Sequence, residues 1–172
     1  MSLERLWAGW RSGYVSGLTG GSADAPSGGA TGCVFCRILS SGEPDSATYV
    51  VWRGGCTAAV LNAFPYTSGH VLVLPLRHVA EPGELAADEA AELWASVTAA
   101  VAALRGAYKP QGINFGANLG EAAGAGVPGH FHVHALPRWN GDTSFMTSLA
   151  EVRVLPEALP DTWERLRSAW PS

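Results

Sequence analysis

The chain has 172 residues, 47% of them apolar and 15% charged, which suits one globular domain with a sizeable core and excludes a chain disordered throughout. Eleven Lys and Arg against fifteen Asp and Glu leave a formal charge of −4; this argues against a broad basic surface for duplex nucleic acid, though a local site for a nucleotide-sized anion stays open. No run approaches the ~18 apolar residues of a membrane span, and Met1-Ser2-Leu3-Glu4-Arg5 lacks the apolar core of a secretory signal, so a cytoplasmic protein is expected.

Leu3, Leu6, Trp7 and Trp10 recur at helical spacing, predicting a short amphipathic helix or turn between Leu3 and Tyr14. Apart from Leu18, residues 16–32 are Gly, Ser, Ala, Thr and Pro with the single charge Asp24, a linker by composition, so 1–32 reads as an N-terminal segment and 33–172 as the domain. Tyr49 to Trp52 and Thr57 to Leu61, joined through Gly54-Gly55, predict a hairpin. His70 to Pro75 is nearly continuously apolar, as in a central strand covered on both faces. Asp88 to Tyr108 is the one long helix, with Leu93, Val97, Val101 and Leu104 on one stripe and Gly106 and Pro110 at its end. Strands at Gly112 to Leu119 and His130 to Leu136 flank a glycine-alanine loop at Gly120 to Gly129, and a helix over Asp161 to Trp170 follows Pro160. This order predicts an α+β fold with a mostly antiparallel sheet, the long helix packed across it and a C-terminal helix.

The chemistry concentrates in His130-Phe131-His132-Val133-His134: three of the five histidines fall in five positions. A strand's period of two places their imidazoles on one face and Phe131 and Val133 on the other. A polar strand face and a metal cage are the simpler readings. The preceding loop, with Gly120, Gly124, Gly126 and Gly129, can turn its N–H groups toward an anion without side chains in the way. A phosphate cradle beside neutral imidazoles suits nucleophilic attack at phosphorus. Cys33-Val34-Phe35-Cys36 reads as half a metal site or a redox pair, and Cys56 as a small buried hydrophobe. His70, after Gly69, reads as a structural hydrogen-bonding residue; Phe64 and Tyr66, beside Asn62, are candidate walls of a base pocket, and Arg138 a candidate partner for a distal phosphate.

The segment His130 to Leu136 resembles the His-φ-His-φ-His-φ-φ signature of the histidine triad (HIT) nucleotide hydrolases and transferases, with supporting matches at Asn62, Gly69-His70, Pro75 to Val79, Gly112 to Leu119, Ala123-Gly124 and Pro137-Arg138. Arg5 to Arg11 and the cysteine pair further resemble the branch that includes bacterial diadenosine tetraphosphate phosphorylases, although Gly9 stands where that branch carries proline. The resemblance implies His132 as nucleophile, forming a nucleotidyl-histidine, and His134 on the phosphate and leaving group. It implies Asn62 on the ribose, Asn118 on the phosphates, and the backbone of Gly124, Ala125, Gly126 and Val127 around the phosphate oxygens, with Trp139 stacking on a base or lying at a subunit contact. Ala125-Gly126 replace a Gln followed by Ser or Thr found in many relatives, removing one side-chain phosphate contact. It further implies a structural zinc held by Cys33, Cys36, His78 and His130, a nucleotide substrate, and a homodimer or higher homo-oligomer. The reaction expected is phosphorolysis or hydrolysis of dinucleoside polyphosphates; alternatives are a phosphoramidase, an enzyme acting on a modified nucleotide, and a non-catalytic nucleotide-binding or zinc-dependent module.

Overall fold

The computed structural model describes residues 32–142 and 157–171; the expected helix of Leu3 to Tyr14 and all but the end of the expected linker lie outside them. The chain runs α1 (Val34–Ser40), α2 (Asp45–Thr48), β1 (Val50–Arg53), β2 (Thr57–Leu61), β3 (Val71–Pro75), a 3-10 turn (Pro82–Glu84), α3 (Ala87–Tyr108), β4 (Gly112–Gly116), a second 3-10 turn (Glu121–Ala123), β5 (Val133–Arg138) and α4 (Leu159–Ala169). The five strands form one sheet in the order β1-β2-β3-β5-β4, every neighbouring pair antiparallel. This is the expected α+β architecture. β3 lies at the centre and is buried at all five positions, as its unbroken apolar run requires.

Strand alternation divides the core in two. Val51, Ala59, Leu61, Val71, Val73, Phe131 and Ala135 meet Leu93, Val97, Ala100 and Leu104 of α3 and Leu166 of α4 on one face. Val60, Leu72 and Leu74 meet Cys33 and Phe35 on the other, under α1. Trp163 ties α4 to the sheet edge, its indole N–H donating to the Val50 carbonyl at 2.8 Å, while Trp170 stacks on Trp52.

Two expected boundaries need correction, while the long helix ends at Tyr108 as expected. β5 starts at Val133 rather than His130, because the His130 N–H bonds the Val127 carbonyl and the Phe131 N–H the Val79 carbonyl; these amides are taken by loops, not by a ladder. β4 stops at Gly116 instead of Leu119. α3 runs through Gly106 and ends at Tyr108, where Lys109 adopts a left-handed φ of 46° and donates to the Arg105 carbonyl. Helix α1 escapes sequence periodicity: it is two turns long, and its N-cap, Cys33, offers no side-chain cap.

Candidate active site and metal centre

Cys33 and Cys36 occupy the N-cap and first turn of α1, His78 the connection after β3, and His130 the approach to β5. That connection is pinned by Arg77, whose guanidinium donates twice to Glu89 of α3, at 2.9 and 2.6 Å, and once to the Glu84 carbonyl. The four side chains converge: Cys33 Sγ lies 3.3 Å and Cys36 Sγ 3.6 Å from His130 Nδ1, Cys36 Sγ lies 3.5 Å from His78 Nδ1, and all four donor atoms are within 4.8 Å of one another. Tetrahedral zinc with bonds of 2.0–2.3 Å separates its ligands by about 3.3–3.8 Å, so the spacing fits. The protonation pattern also fits. His130 Nε2 faces the Pro75 carbonyl at 2.9 Å; a carbonyl only accepts, so Nε2 carries the proton and Nδ1 presents its lone pair to the thiols. Burial and the adjacent Cys33 push the Cys36 thiol up to about 11, an environment that a dication would reverse. The implied set Cys33, Cys36, His78 and His130 is thus assembled.

The same reasoning fixes the other imidazoles. His132 Nδ1 lies 2.7 Å from the His130 carbonyl and therefore donates, leaving a lone pair on Nε2 of the neutral ring. The Tyr66 N–H donates to His70 Nδ1 at 3.1 Å, so neutral His70 holds its proton on Nε2 and passes a hydrogen bond to His134 Nδ1 at 2.9 Å. His134 consequently carries its proton on Nε2, which is buried and has no hydrogen-bond partner. One ring offers a nucleophilic lone pair and its neighbour, 5.0 Å away between centroids, an unspent N–H. Phe35 of α1 packs edge-on against both His130 and His132, holding these rings in place and away from water.

Burial depresses all three triad imidazoles below their ordinary value, His134 to about 4 with help from neighbouring His132. The unfolded chain binds protons on these rings below about pH 6.5 while the folded chain resists them, so stability is full above that pH and falls as pH drops toward 4. In metal-free protein the urea midpoint is expected to be clearly lower at pH 5.0 than at pH 7.0. The carboxylates Glu89 and Glu92, held down at about 2, titrate below this window.

The glycine loop corrects part of the expected cradle. The Gly124 N–H bonds the Glu121 carbonyl and the Ala125 N–H the Gly120 carbonyl, so neither is available to phosphate; Ala125 is itself buried. A short turn with Gly120 and Gly124 at φ of 75° and 89° consumes those donors. Among the described residues the Gly126 and Val127 N–H groups make no such bonds. Asn118 reaches the Gly124 carbonyl at 3.4 Å and so braces the loop, while Asn62 accepts from the Phe64 N–H and lies 3.3 Å from His70 Nδ1. Trp139 is not brought to the histidines: among the described residues it follows the last residue of β5 and its ring packs edge-on against Tyr108 at the end of α3. Arg138 is bound twice by Asp142 rather than held ready for a phosphate.

Sequence reasoning underrated His70 and missed Phe35. The position of His70 at a strand start opposite Asn62 was the available signal; for Phe35 only its place within Cys-x-x-Cys was. Cys56 is also corrected: it is half-buried, and its thiol donates to Glu92, which also accepts from the Cys56 and Thr57 amides and pushes the thiol up to about 11.

Fold and site together define an antiparallel α+β protein that presents a neutral imidazole pair, His132 buried and His134 half-buried, beside a glycine loop and a two-Cys, two-His cluster. The HIT domain profile matches residues 43–141. The chain belongs to the HIT domain family. It is 36% identical over 168 residues, 98% of its length and 85% of the relative's, to a protein of Mycobacterium tuberculosis named AP-4-A phosphorylase. It is 31% identical over 116 residues, 67% of its length and 77% of the relative's, to the Bacillus subtilis Protein hit. Among crystal structures, a Zn-bound histidine triad family protein from Mycobacterium smegmatis aligns with a TM-score of 0.65 and 30% identity, covering 82% of this chain and 94% of that one. No helix among the described residues is long and apolar enough to cross a membrane.

Proposed function

We propose that the protein cleaves dinucleoside polyphosphates of the diadenosine tetraphosphate type at the α-phosphorus. The observation that carries this reading is the tautomer pattern: a lone pair on His132 Nε2 beside an unpartnered N–H on His134 Nε2. His132 Nε2 forms a bond to phosphorus as the P–O bond to the departing nucleotide breaks, and the His134 proton passes to that oxygen. The Gly126 and Val127 amides stabilise charge on the equatorial oxygens, and Asn62 takes the ribose. An acceptor then breaks the P–N bond of the nucleotidyl-histidine. Phosphate as that acceptor is favoured by the name of the M. tuberculosis relative, which aligns over nearly the whole chain. Incubation with diadenosine tetraphosphate tests this: ADP plus ATP formed only with inorganic phosphate is expected, AMP plus ATP would make the enzyme a hydrolase, and intact substrate would overturn the reading.

Zinc in the Cys33, Cys36, His78 and His130 cluster would be structural, joining α1 to the histidine segment and supplying no step. In this reading residues 33–172 form the catalytic domain, preceded by the segment 1–32, and the protein acts in the cytoplasm. A homodimer would form across the exposed edge strand β4, where Phe115 and Trp94 of α3 meet edge-on while 53% and 62% exposed. The double substitution Trp94→Ser and Phe115→Ser is expected to shift gel-filtration mass from dimer to monomer.

A further inference from the structure

Phe64 is the most exposed large apolar side chain among the described residues, at 86%, and it sits on the loop that also carries Asn62 and Tyr66. A lone exposed ring is ordinary; this one stands out for its place and its support. The Phe64 N–H donates to Asn62 Oδ1 at 3.0 Å, Pro65 restricts the backbone of Phe64 before it, and the Tyr66 N–H donates to His70 Nδ1. The loop closes where the Asn62 N–H bonds the His70 carbonyl and Thr67 Oγ1 donates to the Pro137 carbonyl. These bonds fix the backbone on both sides of Phe64 and leave its ring in solvent. Trp94 and Phe115, also exposed, engage each other at β4; Phe64 has no ring partner.

Its direction follows from Tyr66. That ring stacks on His134, 6.1 Å between centroids and 11° from parallel, so Tyr66 flanks the imidazole whose N–H faces the departing oxygen. Two residues of extended chain span at most about 7 Å, so the Phe64 backbone lies within that distance of Tyr66 and its solvent-exposed ring is within reach of a group leaving from the His134 side. The retained nucleotide must stay enclosed while it is bonded to His132. The departing one must leave and be replaced by the acceptor, and an open ring that grips one face of a base suits that task.

We propose that Phe64 is a stacking platform for the nucleobase of the departing nucleotide, a second base subsite that makes the enzyme prefer dinucleotides over mononucleoside polyphosphates. The assignment rests on the dinucleotide reading above. A flat π-face accepts any base, so the subsite adds affinity with little base selectivity. The test measures binding to His132→Asn protein, which holds substrate without cleaving it, by calorimetry with diadenosine tetraphosphate and with adenosine 5′-tetraphosphate, which has the same phosphate count and no second base. The dinucleotide is expected to bind about tenfold more tightly. Adding Phe64→Ser should bring the two to within about twofold by weakening the dinucleotide alone, and Phe64→Trp should keep the preference. Equal weakening of both ligands would place Phe64 at the retained base and overturn the proposal. So would an unchanged ratio, or a ratio change accompanied by a change of gel-filtration mass. Failure of the His132→Asn protein to bind either compound would instead overturn the dinucleotide reading, and the subsite with it.

Discussion

The His132→Asn protein is expected to lose at least about 10³-fold in turnover while binding nucleotide within a few-fold of the parent. A carboxamide can still donate to the His130 carbonyl through its N–H₂ group, so the local hydrogen bond at 2.7 Å has a substitute. What it lacks is a basic nitrogen able to bond phosphorus, and losses of this size follow when a covalent nucleophile is removed. The melting temperature should change by only a few degrees, because Phe35 still closes the site from the α1 side. Rapid-quench assays with labelled substrate check the result: parent protein should accumulate acid-labile label and the variant none. Label persisting in the variant would move the nucleophile elsewhere.

Purified protein is expected to hold about one zinc per chain, and Cys36→Ser to hold almost none and melt ~10 °C lower. Cys36 lies close to both His78 and His130, so its loss opens the cluster from the side that joins α1 to β5. Losing a structural metal is one of the few single-residue mechanisms that costs several kcal/mol, and for a domain of this size each kcal/mol moves the midpoint by about 2–4 °C. Activity should fall as well, by about 10- to 100-fold, since the carbonyl that orients His132 belongs to the ligand His130. Elemental analysis with differential scanning calorimetry decides this; metal-free parent protein with the full melting temperature would rule the centre structurally irrelevant.

Residues that announce themselves by type and spacing were legible in the sequence. The hairpin, the central β3, the long α3 and the three imidazoles on one face all follow from local pattern, and so does the cysteine pair as half a metal site. What was not legible depends on where main-chain groups end up. Gly124 and Ala125 seemed available to phosphate, but their N–H groups close the turn of their own loop, a matter of φ angles that composition does not encode. Trp139 has the right chemistry for stacking on a base yet lies just past the end of β5, against Tyr108 of α3, a placement that depends on where the strand stops. His70 needed the pairing of β3 with β5 before its ring could be connected to His134. Helix α1, too short for periodicity, brings both the thiols and Phe35 to the histidines, so it is the part of the site least readable from sequence.

The groups that fix proton positions here are the carbonyls of Pro75 and His130 and the amide of Tyr66, none of which titrates and none of which is removed by a substitution other than proline. Acid and base are therefore assigned by chain geometry, relayed to His134 by the His70 ring, and neighbouring side chains other than His70 can vary without exchanging the two roles. The vulnerable points are those where the backbone itself changes: a proline in place of Tyr66, or a one-residue insertion between Gly129 and His132, would reverse or scramble the polarity while leaving every histidine in the sequence.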